Sequence, residues 1–149
     1  MSMERQYCTF VLDNLFLGIE VLRVQEVIRA QTMTRVPLAA RAVRGLINLR
    51  GQIVTAIDLR ERLGLDPRPE GRQPMNVVIR TEDGAVSLMV DEIGDVLEVA
   101  EDHYESPPET LAASARALIR GVYKLPDRLL LILDTDQALQ LESADAGGR

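Results

Sequence analysis

Residues 44–63, RGLINLRGQIVTAIDLRERL, return without a gap as residues 120–139, RGVYKLPDRLLLILDTDQAL. Arg-Gly opens both segments, Leu49 answers Leu125, Asp58 answers Asp134 and Leu63 answers Leu139. Between these points apolar positions stay apolar: Leu46/Val122, Ile53/Leu129, Val54/Leu130, Ala56/Ile132 and Ile57/Leu133. A chain with two copies of one supersecondary unit builds two small subdomains side by side. The seam between them is a natural place for a partner to bind.

Inside the first copy, Val43–Leu49 and Gln52–Ile57 read as a hairpin turning at Leu49-Arg50-Gly51-Gln52, with Gly51 supplying the positive φ of a type II turn. The second copy turns at Leu125-Pro126-Asp127-Arg128, where Pro126 suits a type I turn. One hairpin closed by two turn chemistries supports an old duplication. Each copy then starts a helix. Asp58-Leu-Arg-Glu61 and Asp134-Thr-Asp-Gln137 have capping-box spacing, which makes Asp58 and Asp134 structural N-caps.

Upstream, Tyr7–Leu12 and Leu15–Val21 flank Asp13-Asn14 as a hairpin, and Met75–Arg80 and Ala85–Val90 flank Glu82-Asp83-Gly84 as another. Val21, Val24, Val27 and Ile28 recur at three and four, which predicts one or two helical turns. Leu17–Ile28 parallels Val86–Leu97 at an offset of 69, aligning Ile19/Leu88, Val21/Val90, Val24/Ile93 and Val27/Val96. The offsets of 69 and 76 are compatible if the second copy has a longer internal loop near Ala100–Ala117, holding a short helix. LLLIL at 129–133 is apolar on both faces and predicts a central strand. The expected fold is mainly β with short helices: two barrels of about five strands related by internal duplication. Subdomain 1 spans about 7–68 and subdomain 2 about 69–141 of one domain at 7–141. The turn-rich connector 66–74 (DPRPEGRQP) marks the division, and 142–149 form a flexible tail.

Aromatic residues make up only 3% of the 149 residues against 46% hydrophobic, so the core must be aliphatic. No run approaches the ~20 apolar residues of a membrane span, and no signal peptide is visible. The single cysteine excludes an internal disulfide and places the chain in a reducing compartment. The net charge of −6 is uneven: residues 1–80 hold twelve Arg against eight acids, and 81–149 hold five basic residues against fifteen acids. With few aromatics in the basic half there is no stacking platform, which argues against nucleic acid.

Catalytic chemistry finds little support. His103 stands alone in EDHYE, and Cys8 alternates with apolar neighbours in a strand, as a buried inert thiol does. No Cys/His cluster suggests a metal, and no GxGxxG or Walker spacing suggests a nucleotide, so no catalytic residue, metal or cofactor is assigned. Asp58 and Asp134 need no role beyond capping.

The segment VRGLINLRGQIVTAIDLRER from Val43, the upstream GIEVLRVQEVI, the following TRVP and the closing RGVYKLPDRLLLILD resemble the CheW family of chemotaxis coupling proteins, over about Tyr7 to Leu141. The resemblance implies two SH3-like five-stranded barrels around a shared aliphatic core. It also implies a non-enzymatic cytoplasmic scaffold, recruited to membrane receptor arrays. Such a scaffold links the cytoplasmic tips of methyl-accepting chemoreceptors to the regulatory domain of a CheA-type histidine kinase, with other CheW-like proteins as further partners.

Motif by motif, the VQE signature makes Val24 and Glu26 candidate partner contacts, and the G-x-x-N-L-R-G signature adds Gly45, Asn48 and Arg50. Val27 joins them, because the family's apolar groove for the receptor tip lies between the barrels, beside Val24 and Val27 and the hairpin that Gly45 starts. Gly45 is also open to a purely backbone reading, since Gly121 repeats it. Arg50 is repeated as Pro126, so the fold does not require it. An ion pair between Glu26 and Arg50 is expected. Thr55 stands where relatives have Pro, and Ala40 near a second Pro position, which leaves a pilus or surface-motility array as an alternative setting. A small ligand-binding β-barrel or enzyme is the alternative of another class, and it would require convergent titratable groups in a pocket.

Overall fold

The computed structural model describes residues 4–140. The expected tail at 142–149 lies outside them. Along the chain run β1 (Glu4–Leu12), β2 (Leu15–Glu20), a 3-10 turn (Val21–Arg23), β3 (Val24–Arg29), β4 (Val43–Leu49), β5 (Gln52–Asp58) and α1 (Leu59–Leu63). Then follow β6 (Met75–Thr81), β7 (Gly84–Val90), β8 (Glu92–Ala100), a second 3-10 turn (Glu101–His103) and β9 (Tyr104–Glu105). The chain closes with α2 (Ala113–Arg116), β10 (Ile119–Lys124), β11 (Leu129–Leu133) and α3 (Thr135–Ala138). All four hairpins read from the sequence are present, and the loop after Ala100 holds its short helix as well as β9.

The two sheets are ordered β8-β1-β2-β11-β10-β9 and β3-β6-β7-β5-β4. They are not the two halves of the chain. Each sheet takes its first hairpin from the opposite repeat: β1–β2 lies between β8 and β11, and β6–β7 between β3 and β5. Parallel pairings seal the exchange, Leu131 with Leu17 in one sheet and Thr55 with Val86 in the other. The connector 66–74 therefore runs between strands of a single sheet and does not separate two independent bodies. The sixth strand of the larger sheet is the two-residue β9, contributed by the inserted loop. As expected, β11 is central, and Leu130 to Leu133 are all buried.

Burial follows the same plan. One aliphatic cluster joins both sheets, with Phe10, Leu12, Leu17 and Ile19 from one and Ile57, Val77, Ile79 and Leu88 from the other. Each sheet also has its own interior cluster: Tyr7, Phe16, Tyr123, Leu130 and Ile132 in the larger, Leu49, Val54 and Val78 in the smaller.

The helical turns expected from Val21 to Ile28 shrink to the 3-10 turn 21–23, and the rest is strand. Register explains the misleading period. A bulge falls between Val24 and Glu26, so Val24 opposes Ile79 while Val27 opposes Val77, two residues on one face of β6. One extra residue turns a two-residue alternation into a spacing of three. The second copy does the same: Ile93 opposes Phe10 and Val96 opposes Cys8. The β-branched Val24, Val27 and Ile28 fit such a pleated surface better than a helix.

Both helix caps form. The Asp58 carboxylate accepts from Arg60 N at 3.0 Å and that of Asp134 from Gln137 N at 3.1 Å. Asp58 does more than its repeat partner. It is 5% exposed and its second oxygen accepts Arg44 Nε and Nη2 at 3.0 and 2.8 Å. Arg120, the repeat of Arg44, is instead 3.7 Å from Glu20. Asp134→Ala is thus expected to cost about 1 kcal/mol, a lost cap, whereas Asp58→Ala should cost about 2 kcal/mol because Arg44 also loses its acceptor. Urea denaturation of the two variants measures the difference.

Candidate functional site: the edge strands of the two sheets

Glu26 and Arg50 meet. The Arg50 guanidinium donates from Nη2 to Glu26 Oε2, and the two side chains are 67% and 22% exposed. Glu26 sits on β3, one edge of the smaller sheet, and Arg50 in the turn between β4 and β5 at the other edge. Three to four strand spacings would hold these segments about 14–19 Å apart in a flat sheet. Direct contact therefore requires the sheet to curl back on itself, with the ion pair across the gap. The hydrogen bond from Arg50 holds the Glu26 carboxyl below its ordinary 4.5 despite some desolvation. The pair is complete at neutral pH and loosens only as pH falls through that lowered value.

The hairpin that carries Arg50 differs from the type II turn expected. Arg50 has φ 52° and Gly51 φ 89°, so both central residues are left-handed, as in a type I′ turn. Primed turns match the right-handed twist of two-residue hairpins. Asn48 is fitted to this turn: its side-chain oxygen accepts from Gly51 N at 2.9 Å. It stays exposed beside Arg50, and a fixed turn also fixes where the guanidinium points. In the second copy neither Pro126 nor Asp127 has positive φ.

Gly45 lies on β4, at the opposite sheet edge from Val24 and Val27 on β3. A Cβ there would stand 2.7 Å from the Thr34 carbonyl oxygen and 3.0 Å from Met33 Cβ. The glycine lets the chain at Thr34 bridge to Leu46. Gly121 is the same device, for a Cβ on it would collide with the Tyr104 ring and the Glu105 carbonyl of β9. Close backbone approach accounts for both glycines.

Val24 and Val27 keep company with a feature the sequence did not single out. Their opposite numbers on β6, Ile79 and Val77, belong to the aliphatic cluster shared by the two sheets, and so does Phe10 opposite Ile93. The residues on these faces of β3 and β8 therefore point to the inter-sheet side. At the edges they remain uncovered: Val27 is 38% exposed, Ile93 36% and Val96 56%, and Cys8 opposite Val96 is half-buried. Burial pushes the Cys8 thiol pKa up, away from a reactive thiolate. The repeat alignment Val24/Ile93 and Val27/Val96 was legible, but its meaning, two equivalent open apolar steps, needed the register.

Among the described residues, no group of three or more His, Cys, Asp or Glu is placed to hold a metal ion, and no helix is long and apolar enough to cross a membrane. His103 is exposed in its 3-10 turn.

Two sheets built by hairpin exchange, with a fixed ion pair across one of them and open apolar edges, define a duplicated β-sheet binding module. Residues 6–143 match the CheW-like domain, and the chain belongs to that family. It is similar to the chemotaxis protein CheW of Bacillus subtilis, 34% identical over 92% of this chain and 88% of that one. A more distant likeness is to protein PilI of Pseudomonas aeruginosa, 28% identical over 76% of this chain and 64% of that one. Among solved structures, the scaffolding protein TtCheW from Thermoanaerobacter tengcongensis superposes with a TM-score of 0.78 at 27% identity, over 88% of this chain and 89% of that one.

Proposed function

We propose that the protein is a non-enzymatic signalling adaptor that couples the cytoplasmic tips of chemoreceptors to the regulatory domain of a CheA-type histidine kinase. It works in the cytoplasm, at membrane receptor arrays. Kinship with chemotaxis coupling proteins and a TM-score of 0.78 to a scaffolding protein support the class. The Glu26–Arg50 pair carries the reading at residue level. It exists in one copy of a repeated frame, since Asp95 answers Glu26 while Pro126 answers Arg50. A charge that the fold does not require, held exposed by a fixed turn, is suited to a partner. The apolar steps of β3 and β8 are suited to a helical receptor tip, which docks through a few apolar anchors.

The test is thermal melting beside kinase activation in a reconstituted array. Arg50→Ala should keep its Tm within about 2 °C, because an exposed ion pair contributes little to stability. It should weaken assembly of the receptor–kinase complex by about tenfold or more. Arg50→Lys should restore only part of that, keeping charge without the planar fork of donors. A large fall in Tm with normal assembly would make Arg50 a structural residue.

A further inference from the structure

A second feature has no counterpart in the repeat, and it lies at the β1–β2 and β10–β11 turns of the larger sheet. There a cavity of about 380 Å³ is lined by Val11, Leu15, Phe16, Leu111, Leu129 and Leu131, with Arg128, Asp13 and Asn14 around it. Its floor is buried, Phe16 at 7% and Leu131 at 3% exposure, while Leu129 at 36% stands at the mouth. The size falls within the range of small-molecule sites, and the lining has their usual make-up of apolar walls with few polar groups.

Charge decides what such a site takes. Arg128 lies over the Phe16 ring, its guanidinium carbon 3.6 Å from the centroid, and among the described residues it has no ion-pair partner. Asp13 does not neutralise it. Asp13 stands 4.0 Å from Arg60, which with Arg68 brackets Asp91, so two acids and two bases there already balance. The Arg128 guanidinium at the cavity is therefore left, among the described residues, without an ion-pair partner.

The repeat shows that the fold does not require these residues. Arg128 corresponds to Gln52, Phe16 to Ala85, and Leu111 belongs to the internal loop that is longer in the second copy. The cation, the aromatic wall and the apolar lid are each additions to the common frame, and they converge on one cavity.

We infer that this cavity binds an aliphatic monocarboxylate, with the chain among Leu15, Phe16, Leu111 and Leu129 and the carboxylate on Arg128. A chain of about six to ten carbons suits its size. The Arg128 fork offers the carboxylate two parallel hydrogen bonds.

Octanoate titrated calorimetrically into the full chain, with neither kinase nor receptor present, tests this. Saturable binding at one site is expected, with octan-1-ol weaker by about tenfold or more for want of the charge. Arg128→Gln should weaken octanoate by a similar factor, leaving octanol unchanged, and Leu129→Asp should weaken both. Circular dichroism checks that the variants fold; the Arg128 side chain only stacks on Phe16, so its loss spares the backbone. N-acetyl-leucine, run in parallel, separates a free fatty acid from a protein C-terminus: binding tighter than octanoate would overturn the assignment to a free acid. Equal affinities for octanoate and octanol, no loss in Arg128→Gln, or no saturable binding would overturn the site.

Discussion

Asp91→Ala is expected to destabilise the protein by about 3–5 kcal/mol, because it removes one partner of a nearly buried charge cluster. The Asp91 side chain is 7% exposed, and those of Arg60 and Arg68 are 6% and 11% exposed. Arg60 reaches it as a fork, Nε to Oδ1 at 2.9 Å and Nη2 to Oδ2 at 2.6 Å, and Arg68 Nε adds a bond of 3.0 Å. The backbone N–H of Asp13 donates to it as well, at 2.8 Å. Removing the carboxylate would leave two nearly buried guanidinium groups facing each other. The same residue predicts acid sensitivity. Burial works to raise its pKa, but the bonds from Arg60, Asp13 N and Arg68 outweigh burial and hold it at about 2, below the ordinary 3.8. A carboxyl with a lowered pKa stabilises above its unfolded value and loses that contribution as pH falls through the folded one. The stability of the native chain should thus decline from about pH 4 towards pH 2, and that of Asp91→Ala should decline less. Urea midpoints between pH 7 and pH 2 measure both, and parallel curves for the two proteins would refute the assignment.

The second large effect concerns binding and rests on the proposed receptor role. Val27→Asp combined with Val96→Asp should reduce affinity for a soluble receptor-tip fragment by about a hundredfold or more, each alone by about tenfold. Both side chains are partly exposed, so the folding cost should stay near 1 kcal/mol for each. Affinity for the kinase regulatory domain, measured with the same preparations, should hold within about threefold if that domain docks elsewhere. Unchanged receptor affinity in the folded double variant would remove the apolar steps of β3 and β8 from consideration.

Features set by neighbours in the chain were legible before any coordinates. The duplicated hairpins came from apolar pattern and the helix caps from Asp three residues before Glu61 or Gln137; the Glu26–Arg50 contact, which joins opposite edges of a sheet, was reached by another signal, a charge in one copy only. Features set by pairing were not. The bulge after Val24 imitated a helical period, because an extra strand residue and a helical turn both give a spacing of three. Hairpin exchange left no trace, since Leu17 has the same composition of neighbours whether Leu131 or another strand lies beside it. Arg50 reads as an ordinary turn residue, and its left-handed backbone follows from the twist of the strands it joins. Arg128 and Phe16, more than a hundred positions apart, share a cavity only because β2 and β11 are neighbours.

The exchanged hairpins also set a timetable. During synthesis β1 and β2 emerge first and can pair at once, yet the strands that flank them arrive much later: Leu97 of β8 beside Tyr7, and Leu131 of β11 beside Leu17. Contacts so distant along the chain are slow to form, because the long loop between them must close before they contribute. For most of its time on the ribosome the first hairpin presents two unpaired edges and a bare apolar face, the state in which β-structure sticks to other chains. Synthesis of β11 is therefore the event that completes the larger sheet, and a ribosome stalled near residue 120 would hold the first hairpin with that sheet still open.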